Sequence, residues 1–230
     1  MQKLVAGVRR FEKEIFPADK QFFTALAEGQ NPQALLITCS DSRIVPVMMT
    51  QSRPGDLFLI RNAGNMVPPY GNMVGGVSAT IEYAVMALGI ENIIVCGHSK
   101  CGAMKGALHP ESLTEMPAVS QWLGLAESAR RVVVDNCKDL PMEEMLDELT
   151  KQNVLAQIDH LKTHPSVASK FAAGKMNLFG WMHYIESGKT VAYDPEVAAF
   201  VEFDENRIPV AVAPRKTRAM NLNQPVNVGS

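Results

Sequence analysis

At 230 residues the chain can bury a substantial core, and its length favours one domain over two. An apolar fraction of 47%, a charged fraction of 20% and a formal net charge of −2 belong to an ordinary globular protein and exclude the basic footprint of a nucleic-acid binder. No apolar run approaches the roughly 20 residues of a membrane-spanning helix, and the N-terminus MQKLVAGVRRFEKEIF lacks a signal-peptide pattern, so no membrane partner is expected and the cytoplasm is the expected location.

In chain order, Leu4, Val8, Phe11 and Ile15 recur at helical spacing with Arg9, Arg10, Glu12 and Lys13 on other faces, which predicts an amphipathic helix that needs a surface to lie on. Asp19 is placed to cap a second helix carrying Phe22, Phe23 and Leu26 and ending near Gly29, so residues 1–30 read as a helical arm. After Pro32 a first strand runs from Ala34 to Thr38. DLFLIRN, following the Pro54-Gly55 turn, is a second strand, VGGVSATIEYAVMALG a helix with Val77, Ile81, Ala84, Val85 and Leu88 inward, and NIIVCG a third strand. Helical patterns then run from Ala118 to about Val134, from Pro141 to about Leu161, and again after Pro165. MNLFGWMHYI is the fourth strand, and TVAYD with AAFVEFD a closing edge hairpin. Strands rich in Ile, Val and Leu on both faces imply an α/β fold: a mostly parallel sheet of about four strands plus an edge strand or hairpin, flanked by helices. The tail from Pro214 lacks apolar periodicity, so residues 1–213 form the expected domain and 214–230 a segment that is mobile or borrowed by a partner.

Four cysteines, Cys39, Cys96, Cys101 and Cys137, are too sparse for a disulfide scaffold and point to metal binding or catalysis. The stretch LLITCSDSRIV ends an apolar strand in a thiol, a carboxylate and a guanidinium at alternate positions. If the extended backbone persists, Cys39 and Asp41 share one face. NIIVCG runs into HSKCGAMKGAL, which puts His98 and Cys101 at the end of the third strand. Open α/β sheets bind ligands beyond the carboxyl ends of their strands, so the two pairs can converge. Cys39, His98 and Cys101 would then supply two thiolates and one imidazole, a set that suits zinc and leaves a fourth tetrahedral position for water or Asp41. Arg43 can pair with Asp41 and keep it an acceptor. Cys96, within its strand, and Cys137, near a helix end, read as small core residues.

CSDSR followed by CGHSKCGAMKG resembles the β-class carbonic anhydrases, and RNAGNMVPPY, GGVSATIEYA and FGWMHYIESG carry the likeness across nearly the whole chain. The pattern is most like the bacterial and plant-type branch, which includes cyanobacterial and cyanase-associated enzymes. The resemblance implies a Zn2+ enzyme interconverting CO2 and bicarbonate by zinc-held hydroxide, with Asp41 orienting the nucleophile or, in a closed state, ligating the metal itself. It further implies that Gln30 meets substrate across a dimer, that Phe58 and Tyr83 line the apolar side of the pocket, and that Gly102 offers a backbone amide. A homodimer, or a higher oligomer of dimers, would then cover the stripe Leu4, Val8 and Phe11, and a bacterial microcompartment becomes an alternative cytoplasmic address. The chain departs from members that carry an inhibitory bicarbonate pocket, because Leu36 and His183 stand where those have tryptophan and tyrosine, although Arg61 matches. Other readings remain: another zinc hydrolase on the same ligands, acting for instance on carbon disulfide; a non-catalytic recruitment module working through its basic tail; and a redox protein using Cys96 and Cys101, which lacks a C-x-x-C motif.

Overall fold

The computed structural model describes residues 1–71, 75–204 and 209–213. Two expectations fall outside them: the tail 214–230 and the start of the VGGVSAT helix at Val74.

The strands β1 (Ala34–Cys39), β2 (Leu57–Asn62), β3 (Asn92–His98) and β4 (Asn177–His183) are parallel, and β5 (Thr190–Asp194) and β6 (Ala199–Glu202) add to them antiparallel. Together they make a six-stranded sheet in the order β2-β1-β3-β4-β5-β6. Ile37 of β1 stands beside Ile60 on one side and Val95 on the other, and every residue of β1 is buried, as a parallel sheet covered on both faces requires. The chain steps from β1 outward to β2, then crosses back to β3 on the other side. The carboxyl ends of β1 and β3 therefore flank the crevice where such sheets place their ligands.

The helices are α1 (Gln2–Arg10), α2 (Phe16–Ala18), α3 (Lys20–Ala27), α4 (Pro46–Thr50), α5 (Gly76–Met86), α6 (Gly102–Leu108), α7 (Pro117–Leu123), α8 (Glu127–Asn136), α9 (Met142–Leu161) and α10 (Pro165–Ala172). Leu35, Ile37, Ile81, Ile93, Val95, Val154, Ile158 and Phe171 form the main core between the sheet and α5, α9 and α10. A second core joins Cys39 and Cys101 to Met66, Met104, Leu123, Val133 and Leu149. Close packing of α9 on β3 and β4 needs two residues without a side chain. A Cβ added at Gly97 would stand 2.8 Å from Thr150 Cγ2, and one at Gly180 would stand 2.9 Å from Val154 Cγ1.

Three local expectations are corrected. The helix expected from Ala118 to about Val134 is instead α7, a 3-10 turn at Gly124–Ala126, and α8. Gly124 weakens the helix where the path must bend to keep Leu123, Ala126, Ala129 and Val133 in one core. Asp19 stands at the N-cap of α3, yet its carboxylate pairs with Arg53 and not with the helix amides. The arm's first helix passes through a π-helical segment at Phe11–Ile15, and Phe11, Phe16 and Phe22 close around Phe23. Among the described residues Leu4 and Val8 of the apolar stripe stay uncovered, 66% and 58% exposed. Among the described residues no helix is long and apolar enough to cross a membrane.

Candidate metal centre

β1 ends at Cys39, β3 ends at His98, and Cys101 is the N-cap residue of α6, so three chain segments deliver their side chains to one crevice. The ligand atoms of Cys39, His98 and Cys101 all lie within 4.8 Å of one another. The sulfurs are 4.0 Å apart, close to the roughly 3.8 Å expected of two thiolates on one tetrahedral zinc. His98 is fully buried, and its Nδ1 donates to the Ser99 carbonyl at 2.9 Å. That acceptor fixes the hydrogen on Nδ1 and leaves Nε2 with a lone pair and no hydrogen-bond partner. A buried, unpaired imidazole nitrogen facing two thiols is costly in an empty core and fitting for a metal.

The electrostatics agree with the geometry. The Cys101 hydrogen bond, with smaller help from His98 and the Gly64 amide, pulls the Cys39 thiol down to about 4 despite burial. The same bond and the negative neighbour push Cys101 up. A divalent cation between the two sulfurs would stabilise both as thiolates. Cys96 is the contrast: it sits in the sheet beside Leu36 and Ile94, and burial pushes its thiol up to about 12. Cys137 is half-buried at the end of α8.

Beyond Cys39 the backbone does not stay extended. It turns, with the Ile44 amide donating to the Asp41 carbonyl at 3.0 Å, and the turn carries Asp41 to the crevice. Arg43 grips Asp41 through Nε to Oδ1 at 2.9 Å and a terminal nitrogen to Oδ2 at 2.7 Å, while that nitrogen also donates to the Lys100 carbonyl at 3.1 Å. These bonds hold the Asp41 carboxyl well below the usual carboxylate range. Its Oδ2 is 3.9 Å from His98 Nε2, beside the ligand cluster without bonding to it.

The other expected site residues lie apart from this cluster. Gln30 is exposed before the N-terminal end of β1, with roughly 17 Å of strand between that end and Cys39. Phe58 on β2 and Tyr83 on α5 are ring neighbours, centroids 6.1 Å apart, and Tyr83 is half exposed. Gly102 opens α6 directly after Cys101, and a Cβ there would meet nothing within 4 Å, so packing does not require a glycine. Leu36 is core, and His183 bonds Thr190 Oγ1 at 3.0 Å across β4 and β5. Arg61 donates to the carbonyls of Cys39 (3.1 Å) and Asp41 (2.8 Å), fixing the backbone of both.

Sequence reasoning missed the groups that hold the ligands in place. The Gly64 amide donates to Cys39 Sγ at 3.5 Å, and α9 secures its loop: Asn153 donates to the Gly64 carbonyl, Gln157 Oε1 accepts the Val67 amide, and His160 bonds the Val67 carbonyl. The available signal was Asn153 and Gln157, four residues apart among Leu149, Val154, Ile158 and Leu161 on the helix's buried positions.

Residues 34–190 match the Carbonic anhydrase family. A carbonic anhydrase of Synechococcus elongatus is 48% identical over 83% of this chain and 71% of its own length. The solved structure of the β-carbonic anhydrase CcaA superposes with a TM-score of 0.88 at 44% identity, covering 91% of this chain and 95% of that one. One of two tetrameric β-carbonic anhydrases from Sordaria macrospora gives 0.74 at 28% identity over 83% and 95% of the two chains. With a strand-end cluster of two thiols and an imidazole on a sheet shared with those enzymes, this chain belongs to the β-class carbonic anhydrases.

Proposed function

We propose that the protein catalyses the reversible hydration of CO2 to bicarbonate and a proton on a zinc ion held by Cys39, His98 and Cys101. The unpaired Nε2 of His98, facing two thiols with its other nitrogen committed to Ser99, carries this reading. Zinc bound there would supply the Lewis acidity that makes hydroxide available near neutral pH. Asp41, kept ionised by Arg43, accepts the hydrogen of the attacking oxygen and so aims a lone pair at the CO2 carbon. By holding both oxygens of Asp41, Arg43 would also keep that carboxylate from ligating the metal in a closed state. The Gly102 amide, in the first turn of α6 directly after Cys101, would donate to a substrate oxygen.

Gln30, Phe58 and Tyr83 belong in this reading to the neighbouring subunit's site. Gln30 precedes the far end of β1, Tyr83 is half exposed beside Phe58, and the exposed Leu4 and Val8 of the arm suit contact with a second chain. A homodimer, or an assembly of dimers like the tetrameric relatives, accounts for all three. The test is zinc content with CO2 hydration on the same samples of wild type, Cys39→Ser, His98→Ala and Cys101→Ser. Each variant should lose zinc and nearly all hydration, and full zinc occupancy in any one would sink the ligand assignment.

A further inference from the structure

Ser99 uses its amide, its hydroxyl and its carbonyl at once. The amide donates to the His183 carbonyl at 2.8 Å. The hydroxyl donates to Glu186 Oε2 at 2.6 Å and accepts the Ile185 amide at 2.9 Å. The carbonyl accepts from His98 Nδ1 at 2.9 Å. Ser99 is 5% exposed, where a hydroxyl is tolerated only when bonded and an alanine would pack with less cost. Its carbonyl can orient a ring only if the peptide itself is fixed, and the next residue, Lys100, already turns the chain with φ 54. What fixes it is the end of β4.

We propose that Ser99 and Glu186 are positioning residues that hold the His98 imidazole in its metal-binding orientation, so that β4 supports a ligand carried by β3. This rests on the reading of His98 as a zinc ligand. The bond from Ser99 to the Glu186 carboxylate is short and charge-assisted, stronger than a neutral pair. It also holds the Glu186 carboxyl below the usual carboxylate range, so the acceptor persists near neutral pH. Glu186 itself is exposed at the wall of a cavity of about 630 Å3, so replacing it removes the acceptor without disturbing a core.

The test is zinc transfer from the loaded full-length protein to a chromogenic chelator. Glu186→Ala and Ser99→Ala should each release zinc about tenfold faster than wild type, while Glu186→Gln, which keeps an oxygen acceptor, should stay within about twofold. The double variant Ser99→Ala/Glu186→Ala should release it no faster than Ser99→Ala alone, because both changes cut the same bond. Cobalt-loaded Glu186→Ala should show a shifted visible spectrum, and Glu186→Gln the wild-type one. Wild-type release rates in Glu186→Ala overturn the proposal even if Ser99→Ala fails to fold. So does a lowered melting temperature with unchanged release, which would make the pair merely structural. A wild-type protein that holds no zinc overturns the metal-centre reading and takes this proposal with it; a loaded wild type with unaffected variants overturns the tether alone.

Discussion

Replacing Gln157 with leucine tests whether the buried amides of α9 hold the loop behind the metal centre. Gln157 and Asn153 are both fully buried. Gln157 Oε1 accepts the Val67 amide at 2.8 Å, and its Nε2 donates to Asn153 Oδ1 at 2.9 Å. Leucine has a similar volume and neither group, so it orphans the buried Val67 N–H and the buried Asn153 amide oxygen, and it also takes a longer, partly buried bond from the Leu125 carbonyl. At about 1–3 kcal/mol for each orphaned group the gross cost is about 2–6 kcal/mol. Leucine's extra apolar burial returns about 1–2 kcal/mol, leaving a net loss of about 1–4 kcal/mol. In a chain of this length each kcal/mol moves the melting temperature by about 2–4 °C, so scanning calorimetry should find a drop of about 2–16 °C. Gln152, half-buried and bonded to Glu148 one turn earlier, is the control, and Gln152→Leu should stay within about 0.5 kcal/mol. Because the loop carries the Gly64 amide to Cys39 Sγ, Gln157→Leu should also release zinc faster. A Gln157→Leu protein that melts with wild type and keeps its zinc would refute the clamp.

Arg43→Ala should keep zinc and, with Arg43 half exposed, nearly wild-type melting, yet lose CO2 hydration by about a hundredfold or more as Asp41 is freed. A crystal of that variant with metal present and Asp41 still turned away would refute the closed state while leaving the family assignment intact. Deleting residues 1–16 removes Leu4, Val8 and Phe11, and sedimentation should then find unstable or monomeric, poorly active protein. A fully active dimer after that deletion would show that the stripe does not serve assembly.

How much was legible in the chain depended on how far each signal had to travel. ALLITC and NIIVCG announced parallel strands because burial on both faces leaves a continuous apolar run, and TVAYD announced β5 because a hairpin strand is a local pattern. Apolar periodicity could not see the bend at Gly124, which follows from where the core containing Leu123 and Val133 lies in space. Nor could it see that the Asp19 carboxylate would prefer Arg53, 34 positions away, to the amides of its own helix.

The sequence by itself determined the chemistry available: two thiols and an imidazole adjacent to the ends of apolar strands, with Asp41 two residues beyond one of them. Ligands that close to strand ends can meet only where the strands end, so their convergence was implied by the topology. Only the tertiary structure decided what holds each ligand. Asn153 reaches Gly64 across 89 positions, Gln157 reaches Val67 across 90, and Ser99 reaches Glu186 across 87. A hydrogen bond needs its partners within about 3 Å and is indifferent to their separation along the chain, so no local pattern encodes such pairs until folding brings them together.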